Sequence, residues 1–191
     1  MRTTKTQTKS QAAWEKEEAE DRGTAVQEPM RKAEPQREHQ WLQKLVGEWT
    51  FEGEMTMAPG KPPERFTGIE SVRSLGGLWI LAEGQSQMPP DGSPATMIMT
   101  LGYDPQRKRF VGTFIGSMMT HLWVYEGGLD PAERVLSLNT EGPDMSAEGK
   151  MATFRDVIEF KSDDHRVLRS HMLGDDGKWH EVVTAHYRRR E

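Results

Sequence analysis

From Gly47 to the C-terminus the chain is a series of short runs in which apolar and polar residues alternate, separated by turn signals at roughly 8 to 12 residue intervals. The first run sets the pattern: Trp49, Phe51, Gly53, Met55 and Met57 fall on one face, and Thr50, Glu52, Glu54 and Thr56 on the other. Gly76-Gly77, Pro89-Pro90-Asp91-Gly92, Asp104-Pro105, Gly127-Gly128 and Gly174-Asp175-Asp176-Gly177 punctuate the later runs. None of the connections reaches the dozen or so residues that a parallel crossover needs, so sequential strands pair antiparallel. About ten strands are expected, and a twisted sheet of that size removes its edges by closing. The fold class predicted is therefore all-β, an antiparallel meander closed into a barrel.

The segment before the first strand supplies a lid for one end. Trp41, Leu42, Leu45 and Val46 lie on one side of a short helical turn that Gly47 ends. Upstream, residues 1–37 hold few large apolar groups among charges of both signs and cannot repay the entropy of ordering. They are expected to be a disordered or weakly helical leader, with Ser10 to Asp21 its best helix former, and residues 38–191 to be the barrel domain.

Composition narrows the function by exclusion. A formal charge of -5 gives no general attraction to a nucleic acid or to anionic lipid, and the absence of cysteine removes disulfides, thiolate metal sites and thiol nucleophiles. No window approaches the ~18 consecutive apolar residues of a membrane span, and no apolar h-region follows the polar, basic stretch from Met1 to Ser10, so a cytoplasmic home is expected. Walker, dinucleotide-binding, zincin and nucleophile-elbow motifs are all missing, which leaves no catalytic residue to name.

Leu42-x-x-Leu45-Val46-Gly47-x-Trp49 resembles the helix-to-first-strand signature of calycin-type barrels, lipocalins and nitrobindins among them, in which the tryptophan closes one end. With Leu101-Gly102-Tyr103-Asp104-Pro105, Phe110 to Phe114, His121-Leu122-Trp123 with Glu126-Gly127, and Tyr187-Arg188-Arg189, the chain from about Glu38 onward resembles the uncharacterised bacterial family called domain of unknown function 1579. That resemblance implies a calycin-like barrel and transfers no activity.

The barrel reading selects lumen residues by parity. Trp49 and Phe51 point inward on the first strand. A tight turn at Ser117-Met118 would set Phe114 opposite His121, Gly112 opposite Trp123 and Phe110 opposite Tyr125, with this face inside. Val111, Ile115, Leu122 and Val124 then face out, apolar enough to suggest a homodimer contact or a docked leader. In the last hairpin Arg169 would pair with Val183, His171 with Glu181 and Leu173 with Trp179. If this face is interior, Arg169 or His171 anchors a ligand head group; if exterior, they form a cross-strand ion pair.

A small, mainly apolar molecule is the expected ligand, with Trp49, Phe51, Phe114, His121, Trp123, Arg169 and His171 as binding residues. Abundant strand methionines suit an adaptable apolar cavity. Asp156 shares parity with Phe154, Ile158 and Phe160 and is the carboxylate expected to be buried. No cofactor is expected; haem held by His121 or His171 is the alternative, because nitrobindin-like barrels use one histidine. His165 and His171, like His180 and His186, are six residues apart, roughly 20 Å along a strand at about 3.3 Å per residue, too far to share a metal. A ligand-free interaction module is the competing class.

Overall fold

In a computed structural model, residues 33–56, 61–88, 91–144, 147 and 149–190 are described; most of the expected leader lies outside them. Helix α1 (Arg37–Gln43) leads into ten strands: β1 (Gly47–Met55), β2 (Glu64–Leu75), β3 (Trp79–Met88), β4 (Ser93–Asp104) and β5 (Arg109–Gly116), then β6 (Trp123–Leu129), β7 (Val135–Pro143), β8 (Met151–Ser162), β9 (His165–Leu173) and β10 (Trp179–Arg189). Each strand pairs antiparallel with its sequence neighbours, and β1 also pairs with β10, so the sheet is a closed barrel. The meander expected from the turn spacing is therefore present, with closure leaving no free edge.

The helix plugs the end that carries the β2–β3, β4–β5 and β6–β7 turns. His39 takes the Gln36 amide proton on Nδ1 at 2.9 Å, which leaves Nε2 to donate to the Tyr103 carbonyl at 3.1 Å. The Trp41 indole donates to the Glu133 carbonyl at 2.8 Å while its ring meets the edges of Phe110 and Phe160. Leu42 and Leu45 are buried beside it. Trp49, 0% exposed, donates its indole N–H back to the Leu45 carbonyl at 2.9 Å, so strand and plug lock together where the glycine bends the chain.

Two local features change the register from simple expectation. The connection after β5 is longer than a two-residue turn: Met119 N–H bonds the Gly116 carbonyl, Ser117 bonds back to Thr96, and strand geometry resumes only at Trp123. Phe114 consequently faces Trp123, Gly112 faces Tyr125 and Phe110 faces Gly127, a slip of two residues from the expected pairs. Because a slip of two preserves parity, the inward face is the expected one. In β10 a bulge between Glu181 and Val183 sets Val183 against Ser170 and Thr184 against Arg169, while His171–Glu181 and Leu173–Trp179 pair as expected.

Candidate functional site in the barrel lumen

The inner faces enclose a cavity of about 410 Å³. Its wall is mainly apolar, with Met55, Met97, Met99 and Met119 among its residues and Phe66, Phe114, Trp123 and Phe154 supplying rings. Those positions follow from strand parity: Phe66 stands opposite Gly53, Met97 opposite Gly84, and Met99 opposite both Ala82 and Phe114. Large side chains meet small ones across several of these pairs, and space is left between them.

The polar groups form two clusters. Arg166 on β9 pairs with Glu70 on β2, and its guanidinium lies over the Tyr187 ring at 3.9 Å and the Trp49 ring at 4.8 Å. Arg166 is 4% exposed. Burial pushes the Glu70 carboxyl up from its ordinary value, and the attraction of Arg166 opposes that shift. On the other side, Tyr125 donates its hydroxyl proton to Asp156 Oδ2 at 2.6 Å, and Ser170, opposite Asp156 on β9, hydrogen-bonds it as well. Burial again raises the carboxyl, and burial together with the neighbouring Asp156 holds Tyr125 well above its ordinary value, so the phenol stays protonated. Thr140 lines the same cavity and has no hydrogen-bond partner for its hydroxyl among the described residues.

Three of the seven expected binding residues line the cavity: Phe51, Phe114 and Trp123. Trp49 is inside the barrel but sealed between the Arg166 and Arg189 guanidinium groups. His121 sits at the β6–β7 seam. There the ladder covers only Glu126–Leu129, and the imidazole Nε2 bonds the Glu141 carbonyl at 3.0 Å, outside the lumen. Arg169 and His171 are on the outer face. Arg169 donates to Glu159 at 3.0 Å, and His171 Nε2 lies 3.8 Å from Glu181. The physical reason is parity: Arg166, Leu168, Ser170 and Met172 are the inward set on β9, so the odd-numbered residues between them point out.

Asp156 is buried as expected; Arg166 and Tyr187 are buried too, although neither is among the binding residues expected from the sequence. The signal for Arg166 was its shared parity with Leu168 and Met172. For Glu70 it was shared parity with Phe66 and Val72. No histidine is among the residues lining the lumen, so the haem alternative has no ligand there. Among the described residues no group of three or more His, Asp or Glu is placed to hold a metal, and no helix is long and apolar enough to cross a membrane.

Residues 34–189 match the family described as "Protein of unknown function (DUF1579)". The chain belongs to this family. Among solved structures, the DUF1579 chain is similar to the crystal structure of Rv2717c from M. tuberculosis, at 15% identity and a TM-score of 0.56 over 83% of this chain and 100% of that one. It is also similar to the S-type phycobiliprotein lyase CPES from Guillardia theta, at 11% identity and a TM-score of 0.51 over 79% of this chain and 91% of that one. At these identities the likeness is one of fold. No curated protein matches the DUF1579 chain in sequence.

Proposed function

We propose that the lumen binds a small, mainly apolar molecule. The observation that carries this reading is the cavity of about 410 Å³ inside the barrel, walled by methionines and aromatic rings, with a few buried polar groups on its inner surface. That size and that combination are those of a small-ligand site, in which the apolar wall supplies affinity and the polar groups fix orientation. Methionine side chains adapt to several shapes, which suits a family of related ligands. A cytoplasmic location belongs to the same proposal.

Phe51, Phe114 and Trp123 are the expected residues retained in this reading; Tyr125, Asp156 and Arg166 join them, and Trp49, His121, Arg169 and His171 leave it. Native mass spectrometry of freshly purified full-length chain tests the proposal. A co-purifying small molecule, or stoichiometric uptake of an apolar dye that quenches Trp123 fluorescence, is the expected result. Failure of both would sink the reading.

A second reading concerns the outer surface. Ile98 and Ile115 are cross-strand partners, and Val124 pairs with Thr113 on the next strand, so an exposed apolar strip runs over β4, β5 and β6 with Leu122 at its end. Such a strip fits a homodimer contact. Sedimentation equilibrium of the chain and of Val124→Lys tests it: a dimer that the charge dissociates supports the reading, and a monomer at all concentrations removes it.

A further inference from the structure

Among the described residues lining the lumen, the carboxyl and guanidinium side chains are Glu70, Asp156 and Arg166. Arg166 is paired with Glu70, which leaves Asp156 as the unmatched one. Asp156 is 9% exposed, and its hydrogen-bond partners are the uncharged hydroxyls of Tyr125 and Ser170. Leu138 faces it from β7. His171, the one basic group that acts on Asp156, is on the outer face of β9 and is the least of the influences on it. Tyr187 on β10 feels the Glu70–Arg166 pair and Asp156 and stays protonated through burial.

Buried charges are ordinarily paired, and a carboxyl buried without a cation either keeps its proton or is completed by a cation from outside. A ligand carboxylate would add a negative group to a cavity that already holds two carboxyls, and would find only the Nε–H of Arg166, whose guanidinium lies over the Tyr187 and Trp49 rings and is already paired with Glu70. A neutral head group would leave Asp156 as it is. An ammonium group would complete the charge pairing, with aromatic rings at hand: Phe154 lies two residues from Asp156 on the same inward face, and Trp123 packs at right angles to Phe154 with centroids 5.0 Å apart.

We infer that the lumen is a site for an apolar amine, with the ammonium group of the ligand held against Asp156 and the hydrocarbon part among the methionines and rings. The inference rests on the reading of the lumen as a ligand site and adds the chemical class. Tyr125 and Ser170 position the carboxylate by donating to it, and Arg166 is engaged with Glu70 through Nη2 while its buried Nε has no hydrogen-bond partner among the described residues.

Binding is coupled to a proton. Without ligand the Asp156 carboxyl holds its proton above the ordinary carboxylate range; pairing with ammonium favours the ionised form, so the proton leaves as the amine enters. Affinity for the amine rises as pH rises through the Asp156 transition, and it falls only where the amine itself loses its charge, at about pH 10.

The test uses three eight-carbon probes, n-octylamine, 1-octanol and octanoate, titrated into the full chain by calorimetry in two buffers of different ionisation heat, with Trp fluorescence as the second readout. Octylamine is expected to bind at least about tenfold more tightly than either other probe, with net proton release, and Asp156→Asn is expected to narrow that ratio to about threefold or less. Octanoate binding tightest, or octanol equalling octylamine, overturns the amine assignment and leaves the ligand-binding lumen standing. No binding of any probe overturns both. If Asp156→Asn does not fold, the preference of the native chain decides, and octylamine binding less than about tenfold more tightly than octanol overturns the assignment.

Discussion

Arg189, near the end of the last strand, reaches over Gly47 at the start of the first: its Nη1 donates to the Val46 carbonyl at 2.8 Å and its Nη2 to the Lys44 carbonyl at 3.0 Å. These carbonyls end the plug segment and have no intrahelical partner, so the guanidinium serves as their cap. The same group lies over the Trp49 ring at 4.3 Å. Gly47 has a φ of 138°, and a Cβ there would overlap Arg189 Nη1. Gly47→Ala therefore meets both backbone strain and a displaced guanidinium. A loss of about 2–4 kcal/mol is expected in urea unfolding. Arg189→Met should cost less, about 1–2 kcal/mol, because the plug carbonyls stay half accessible to water. Equal, negligible losses in the two variants would show that this junction does not hold the plug.

The Arg166–Glu70 pair is buried at both ends, with side-chain exposures of 5% and 14%. Removing one partner strands the other, but the two cases differ. Glu70 alone can neutralise itself by taking a proton, whereas arginine does not give one up at any accessible pH. Glu70→Leu is thus expected to cost about 3–5 kcal/mol and Arg166→Leu less, with the double variant recovering part of the loss. Chemical denaturation of the four proteins measures the cycle. A double-variant loss equal to the sum of the single losses would mean that the two groups do not act as a pair.

How much of this was legible in the sequence depended on whether a signal repeats. Turn spacing and the alternation around Trp49 recur strand after strand, so the closed meander, the plug and the inward faces of β1, β5 and β8 could be read. Pairing register depends on what a particular connection does. The longer chain path after Gly116 moved Phe114 from His121 to Trp123 without changing its face. Arg166 was hidden because a buried arginine looks like any strand arginine until its partner on β2, far away in sequence, is known. The outward turn of Arg169 and His171 could not be separated from the inward alternative, because the flanking bulge in β10 brings Val183 into line with the inner face while Glu181 faces out.

Stability should depend on pH in a direction that identifies the lumen carboxyls. Burial raises Asp156 and Glu70 above their ordinary values of 3.8 and 4.5. The folded chain therefore holds protons that the unfolded chain releases. This contribution is fully present below those ordinary values and is lost as pH rises through the raised ones. Surface groups act oppositely: Glu159, lowered by hydrogen bonds from Lys161 and Arg169, contributes above its ordinary value and loses that contribution as pH falls. The difference between native chain and Asp156→Asn isolates the lumen. The native chain is expected to lose stability relative to the variant as pH increases from about 4 toward neutrality. A difference that does not change over this range would mean that Asp156 is ionised throughout.

Filling the lumen separates ligand binding from folding. A Cβ on Gly84, whose neighbours include Met97, would meet the Met97 Cε methyl at 3.2 Å, the far end of a flexible chain, and no backbone atom closer than the Ile69 carbonyl at 3.9 Å. Gly112 is the control, since a Cβ there would overlap the Thr100 carbonyl of the neighbouring strand. Gly84→Leu should thus place its side chain in the cavity with a stability change within about 1 kcal/mol, while Gly112→Leu should unfold the barrel or cost about 3 kcal/mol or more. Uptake of an apolar dye by Gly84→Leu is expected to weaken at least about tenfold, because volume lost from a small cavity is felt at the level of single methylene groups. Undiminished uptake by a folded Gly84→Leu would move the binding site out of the lumen and onto the outer face of the barrel.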